Sequence, residues 1–459
     1  MAVQINKKLY KLFDDLIEQY AHEHKSFQED SREHIKKSDF KIGGIIEPYS
    51  REKAIEIKER ITRGIPTAPQ LYKNKNTVKI TNQISEILKK SNQIFIEKSE
   101  INTLVDYIAF DLINEKIHPN LISENKDKNS SLEKIITNKI KEQKSSLSNY
   151  TFKFPLHTIR LTEEIKLSKN IKIDNISEKY SKKDYLDRYK NSRDFEPNRY
   201  ITIFSDINTS FKYAEKRALK ASNFSLDALL VLYGFFFGNN NFLNPIIRSE
   251  TKKPHTFNFF LYEKNGNKME ESVSYKFNYN NDSYDKFWKN LNTFSTENKE
   301  TYDLLFSIAD KIIKNDSFEK SIGELFTRSF KWFSDAIDEK DKELQIVKLT
   351  ISIETLVNFD DESKTTDNFK NRVYLINHSN KNKKSNHTKE YAATLYNARS
   401  RIAHGDSYNK NFNFDIVNFT ATTLLLALQI FSHFGKKGLN ETGFKRKLPD
   451  FIDNLKPPN

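Results

Sequence analysis

One stretch of the chain combines residue types that can handle a phosphodiester. Leu395-Tyr396-Asn397-Ala398-Arg399-Ser400-Arg401-Ile402-Ala403-His404-Gly405-Asp406 places an arginine five positions ahead of a histidine, with a glycine directly after. An imidazole with an ordinary pKa near 6.5 exchanges protons at neutral pH. A guanidinium holds two phosphate oxygens at once and is always charged. Together they supply what metal-independent cleavage of an RNA backbone needs: a base for the ribose 2′-hydroxyl and a clamp for the crowded anionic phosphorus. With 15 arginines and 10 histidines in 459 residues, an arginine five to seven positions ahead of a histidine is expected about once by chance, and Arg372 with His378 and Arg248 with His255 also fall in that range. Context separates the three. Arg248 and His255 enclose Pro254, and Arg372 leads into a polar stretch. Only Arg399 and His404 end a helical pattern, with Gly405 placed to stop the helix, directly ahead of a strongly apolar one.

Other chemistries lack their residues. Without cysteine there is no disulfide framework, thiol nucleophile or cysteine-ligated metal. The 11 glycines are scattered, and neither G-x-x-x-x-G-K nor G-x-G-x-x-G occurs, so no phosphate-cradling loop is expected. His22 and His24 are too close in sequence to share a helix face, and His157 and His255 are read as structural or exposed. No metal and no cofactor are expected.

The elements that must position the pair follow from hydrophobic periodicity. Leu9, Leu12, Phe13, Leu16, Ile17 and Tyr20 repeat at helical spacing, and further helices are expected at Val78–Lys90 and Glu100–Asn114, with Leu132 to Ile140 as another candidate. Alternating patterns at Ile159 and Leu161, Ile165 and Leu167, and Ile171 and Ile173 read as strands, as do Tyr200–Phe204, Thr256–Tyr262 and Val273–Phe277, with Asn265-Gly266 as a turn and Phe211–Ala221 as a helix. From about residue 298 helical patterns dominate: Tyr302–Lys314, Phe318–Ile337, Asp341–Phe359, His387–His404 and Phe414–Phe434. The last is apolar nearly all round and should be the centre of a bundle. Asp360–Lys389 reads as an exposed polar loop, and its Lys381, Lys383 and Lys384 as a basic patch that can follow an RNA backbone. The expected fold class is therefore α+β and multidomain. It comprises a helical region over 1–150, a mixed middle region over 151–297 and an all-α bundle over 298–459.

The arginine–histidine motif in this setting resembles the Arg-x(4–6)-His signature of HEPN domains, and most closely the Apea-like group, which carries it at the C-terminus. Lys331-Trp332-Phe333, Ala336-Ile337 and Leu349-Thr350-Ile351-Ser352-Ile353-Glu354-Thr355-Leu356 resemble that family's first two bundle helices, so the likeness covers about Phe318 to Phe434. Phe154-Pro155-Leu156-His157-Thr158-Ile159 is similar, more weakly, to regions found upstream of such domains. The resemblance implies a metal-independent endoribonuclease giving a 2′,3′-cyclic phosphate and a 5′-hydroxyl, with a site completed by a homodimer. It implies bacterial antiviral defence by abortive infection, with tRNA or other structured RNA as substrate and a phage-derived trigger. Arg399 and His404 would be catalytic. Ser400 stands where the family often has a stronger orienting group. Arg401 is a candidate phosphate contact or equally a solvated or Glu-paired side chain, Glu354 a candidate to orient His404 or, preferably, a polar residue of the bundle, and Asp406 is either a supporting group or, preferably, the N-cap of the next helix.

On an ideal helix, five positions put Arg399 and His404 roughly 140° apart. They converge only if the helix unwinds at Gly405 or if two copies face each other. The net charge of +13 and a pI of 9.2 suit an anionic partner. The N-terminus mixes charge into its apolar positions and its longest apolar runs fall short of a membrane span, so a cytoplasmic protein without a membrane partner is expected. The competing expectation is a non-catalytic HEPN protein that binds RNA, a nucleotide or a partner.

Overall fold

A computed structural model of the chain describes residues 8–20, 75–92, 95–114, 126–156, 164–175, 199–240, 261–264, 267–269, 282–314, 316–359, 364–378, 387–408 and 411–455. These are mostly helical, with one small antiparallel sheet. Two compact units are present: Met1–Ser148 with Asn208–Tyr213, and Asn149–Ile207 with Ala214–Asn459.

In the first unit, α1 covers residues 8–20, α2 Lys75–Asn92, α3 Lys98–Asn114 and α4 Lys126–Ser145. Each buries one stripe. Leu9, Phe13 and Leu16 of α1 join Ile84 and Leu88 of α2, Val105, Ile108 and Leu112 of α3, and Leu132, Ile136 and Ile140 of α4 in one apolar core. Tyr20 lies at the edge of that core, where its hydroxyl donates to Asp106 Oδ1 at 2.9 Å. The four-helix reading of this region needed only the 3.6-residue period.

The second unit opens with β1 (Tyr150–Leu156), then β2 (Ile165–Lys166), β3 (Ile171–Asn175) and β4 (Arg199–Phe204). After helix α5 (Phe211–Phe237) come β5 (Leu261–Lys264) and β6 (Asn267–Met269). The sheet order is β2-β3-β4-β1-β5-β6, antiparallel throughout. β1 is central, yet periodicity did not single it out. Its buried Tyr150, Phe152 and Phe154 alternate with the polar Thr151 and Lys153, the latter also buried against Asp174 at 3.3 Å, and Pro155 obscures the pattern. Pro155 lies opposite Tyr200 of β4, and among the described residues β1 pairs with β5 from Tyr150 to Lys153. β6 begins at Asn267; the expected Asn265-Gly266 turn, Ile159, Leu161, residues 256–260 and 273–277 lie outside the described residues.

Three helical expectations require correction. The helix expected to stop at Ala221 continues to Phe237, because the apolar run from Leu226 onward is its buried face. A helix not foreseen, α6 (Asp282–Glu297), buries Phe287, Trp288, Leu291 and Phe294. The supposed exposed loop at Asp360–Lys389 contains α10 (Thr365–His378), which buries Phe369, Val373 and Ile376 at i, i+4 and i+7 spacing. Dense polar sequence around those three residues hid their period.

The remaining helices are α7 (Lys299–Lys314), α8 (Ile322–Ile337), α9 (Lys342–Val357), α11 (Thr388–Ala403), α12 (Ile416–Ser432) and the short α13 (Leu448–Asp453). α12 packs against α7, α8, α9 and α10, which explains its apolar circumference. α5 passes close to the bundle at Gly234: a Cβ there would lie 2.5 Å from Phe333 Cζ and 3.0 Å from Val417 Cγ1. Gly238 then ends α5 in the left-handed region at φ +56°. Among the described residues no helix is long and apolar enough to cross a membrane.

Candidate active site

α11 stops for a local reason. His404 is its C-cap, and Gly405 takes φ +89°, which a side chain would strain. The Gly405 N–H donates to Ile402 O at 3.0 Å and the Asp406 N–H to Arg401 O at 3.0 Å. This pair of bonds closes the helix as a Schellman motif. His404 is left exposed on the last turn, and its imidazole has no hydrogen-bond partner among the described residues.

Arg399 sits just over one turn earlier and faces α9. Its Nε lies 3.4 Å from Glu354 Oε2, close enough for an ion pair. The geometry makes no hydrogen bond, and Nε is buried without an acceptor. The side chain is nevertheless 32% exposed, so that exposure belongs to its other atoms. Glu354 is 15% exposed, and burial pushes its carboxyl above the usual range; the Arg399 charge and the Tyr396 hydroxyl pull it back down. Tyr396 had not been singled out. It lies one turn from Ser400 on α11, and aromatic residues in a bundle helix carry no spacing signal for such a role.

The structure thus joins Glu354 to Arg399 rather than to His404. Arg401 and Asp406, both exposed, approach each other at 3.4 Å across the helix end. Asp406 does not cap the next helix. That position belongs to Asp415, whose carboxylate accepts from the Asn418 N–H at 2.8 Å and the Asn239 N–H at 2.7 Å. Asp406 is instead part of the turn that closes α11, and the cap stands nine residues further on, directly ahead of Ile416. The start of the loop between α11 and α12 is held to α9 by the Tyr408 N–H, which donates to Glu343 Oε1 at 2.7 Å. Ser400 lies half-buried, its carbonyl accepting from the His404 N–H at 3.1 Å. Lys381, Lys383 and Lys384 lie outside the described residues, as do His22, His24, His157, Arg248 and His255.

The second arginine–histidine pair needs a correction of context. Arg372 and His378 do not run into a loop; they lie on α10, with His378 its last residue. Arg372 is 2% exposed and donates to Asp453 from Nε at 2.8 Å and Nη2 at 2.9 Å, and to Val357 O from Nη1 at 2.7 Å. His378 is buried, its Nδ1 3.1 Å from Tyr374 O and its ring stacked on Tyr374. These are packing residues. No family model matches the chain, and no curated protein or solved structure matches it.

Proposed function

We propose that the chain is a metal-independent endoribonuclease of the HEPN type, with Arg399 and His404 as its catalytic residues. The observation that carries the reading is the contrast at the end of α11: an exposed imidazole without a hydrogen-bond partner among the described residues, on a capped turn, just over one turn beyond an arginine whose neighbour is a partly buried carboxylate. In the reaction, His404 takes the proton from a ribose 2′-hydroxyl and that oxygen attacks the adjacent phosphorus. The bond to the 5′-oxygen breaks, and the departing oxygen takes up a proton, leaving a 2′,3′-cyclic phosphate and a 5′-hydroxyl. Arg399 holds the non-bridging oxygens as charge builds on them. Because the two residues leave the helix in different directions, a homodimer that sets one copy's histidine against the other's arginine completes the site. By the family resemblance, the setting is an anti-phage effector acting on tRNA or other structured RNA, restrained by residues 1–297 until a phage-derived trigger arrives.

The test is incubation of the protein with total RNA and with tRNA in EDTA, beside His404→Ala. Cleavage by the parent alone, leaving cyclic phosphate ends, is the expected result; equal cleavage by both excludes this site. One observation favours a second reading. The Arg399–Glu354 contact also serves as an ordinary link between α9 and α11, and a non-catalytic RNA-, nucleotide- or partner-binding protein would keep it. Such a protein retains binding in His404→Ala and shows no cleavage in either form.

A further inference from the structure

α12 ends at Ser432, and the chain then bends through two short 3-10 turns, Gly438–Asn440 and Phe444–Arg446, into α13. Apolar residues fix this corner. Phe434, Leu439, Phe444, Leu448 and Ile452 are all buried, and the Phe434 ring meets Phe451 edge-on at 5.2 Å, which draws the two halves of the corner together. At the start of α8 the Ile322 N–H donates to Glu441 O at 3.1 Å. Gly438 takes φ +54°, and a Cβ there would lie 2.2 Å from Ser432 O, so no side chain fits that bend.

Between these buried anchors stand Lys436, Lys437, Lys445, Arg446 and Lys447, all exposed. Residues 433–455 set those five cations against Glu441, Asp450 and Asp453. Two of the three carboxylates are already engaged: Glu441 Oε2 accepts from the Lys437 N–H at 3.2 Å, and Asp453 is held by Arg372. On α8 and α9, Lys331 lies beside Asp335 at 3.0 Å and Lys348 beside Glu339 at 2.6 Å. By contrast, the side chains of Lys436, Lys437, Arg446 and Lys447 make no ion pair among the described residues. Like charges held together on a fixed frame repel one another, and a partner that brings anions relieves the repulsion. A phosphate backbone brings them in series, and Arg446 can grip two oxygens of one phosphate. Phe434 and Phe444 are turned inward and Phe451 packs on Phe434, so the surface offers charge rather than phenyl rings for base stacking.

From this we infer that the corner after α12 is a docking surface for the phosphate backbone of RNA, separate from Arg399 and His404 and read by charge rather than by base. It follows the end of α12, whose start, about 24 Å away along the helix axis, receives the loop that leaves His404. The inference rests on the proposed RNA-cleaving reading and adds to it a second contact, which supplies binding and takes no part in the chemistry. It is tested by fluorescence anisotropy with a labelled RNA hairpin in EDTA over a range of salt, using full-length His404→Ala so that nothing is cut. Polyglutamate, an acidic polypeptide without phosphate, serves as competitor.

Lys436→Gln, Lys437→Gln, Arg446→Gln and Lys447→Gln combined should weaken hairpin binding about ten-fold or more and lower the salt slope of log Kd by about three to four. Lys331→Gln with Lys348→Gln, which removes two paired cations, should change affinity by less than about two-fold. With His404 restored, the four-residue variant should raise KM about ten-fold at unchanged kcat. Its melting temperature should match the parent's; where it falls, the 436/437 and 446/447 pairs are tested separately, each expected to lower the slope by about two. Unaltered affinity and slope overturn the proposal. So does an equal loss in the Lys331 and Lys348 variant, the mark of general charge attraction. Displacement of the hairpin by polyglutamate at equal charge concentration assigns the surface to an acidic protein and also overturns it. Cleavage with unchanged KM in the four-residue variant removes the docking surface and leaves the nuclease reading. If the parent cleaves nothing while corner-dependent hairpin binding persists, the docking surface stands and the nuclease reading falls.

Discussion

Two helices of the same bundle each carry an arginine followed by a histidine at the helix end, and they use them in opposite ways. On α10, Arg372 is almost wholly buried, spends its donors on Asp453 and Val357, and leaves His378 packed against Tyr374. On α11, Arg399 keeps a third of its surface, has among the described residues only an ion-pair contact at 3.4 Å, and is followed by an exposed histidine without a hydrogen-bond partner among them. The residue types and spacings are nearly the same. What differs is whether neighbouring elements consume the donors. A guanidinium already holding a carboxylate and a carbonyl has nothing to offer a phosphate, whereas one with an unfilled Nε and accessible surface does.

This contrast can be broken in several ways, beginning with the largest expected effect. Removing the α11 pair, by His404→Ala or Arg399→Ala, should lower the RNA cleavage rate about 100- to 10,000-fold, measured as initial rate in EDTA. The folding stability of His404→Ala should change by no more than about 0.5 kcal/mol, because the residue is exposed and its imidazole has no hydrogen-bond partner among the described residues. A large stability loss with little change in rate would put α11 in the same class as α10.

The complementary variant, Arg372→Ala, should cost about 3 kcal/mol of stability in urea denaturation, since a bidentate charge-assisted pair and a carbonyl bond disappear from a buried position. Asp453 is half-exposed and regains water, which keeps the loss from being larger. Cleavage at temperatures where this variant is folded should match the parent.

Glu354 gives a smaller and pH-dependent effect. Burial raises its carboxyl in the folded chain, so the native state holds its proton more tightly than the unfolded state does. Its contribution to stability is full at acid pH, below the ordinary carboxylate pKa, and is lost as pH rises through the higher folded value. Glu354→Gln lacks that titration, so the stability of the variant relative to the parent should increase from pH 4 to pH 8. A difference that is flat with pH would mean that Arg399 fully offsets the burial. The smallest effect belongs to the exposed Arg401–Asp406 pair: Asp406→Asn should shift stability by less than about 0.5 kcal/mol and leave the α11 cap intact. A larger loss would show that the carboxylate, and not only the backbone of residue 406, holds the turn.

How much of this was legible before the structure depends on the range of the interaction. The stripe of α1, the central place of α12 and the end of α11 at Gly405 are written within a few residues each, because helix period and C-capping are local physics. The Asp341 cap of α9 belongs to the same class: its carboxylate accepts from the N–H groups of Glu343 and Leu344. By contrast, α10 was hidden in a polar stretch, and the central strand β1 was obscured by Pro155. The cap on α12 was placed at Asp406 when the true one, Asp415, also holds the end of α5, 176 residues away.

The amino-acid order by itself determined which segments bury a face, where α11 must stop, and that the chain carries an excess of positive charge. The tertiary structure alone decided that Arg372 is spent and Arg399 is not, that Glu354 stands by the arginine rather than the histidine, and that Asp415 rather than Asp406 caps α12. The reason is the same in each case: burial and donor competition depend on groups brought together from distant parts of the chain, and spacing along the sequence carries no record of them.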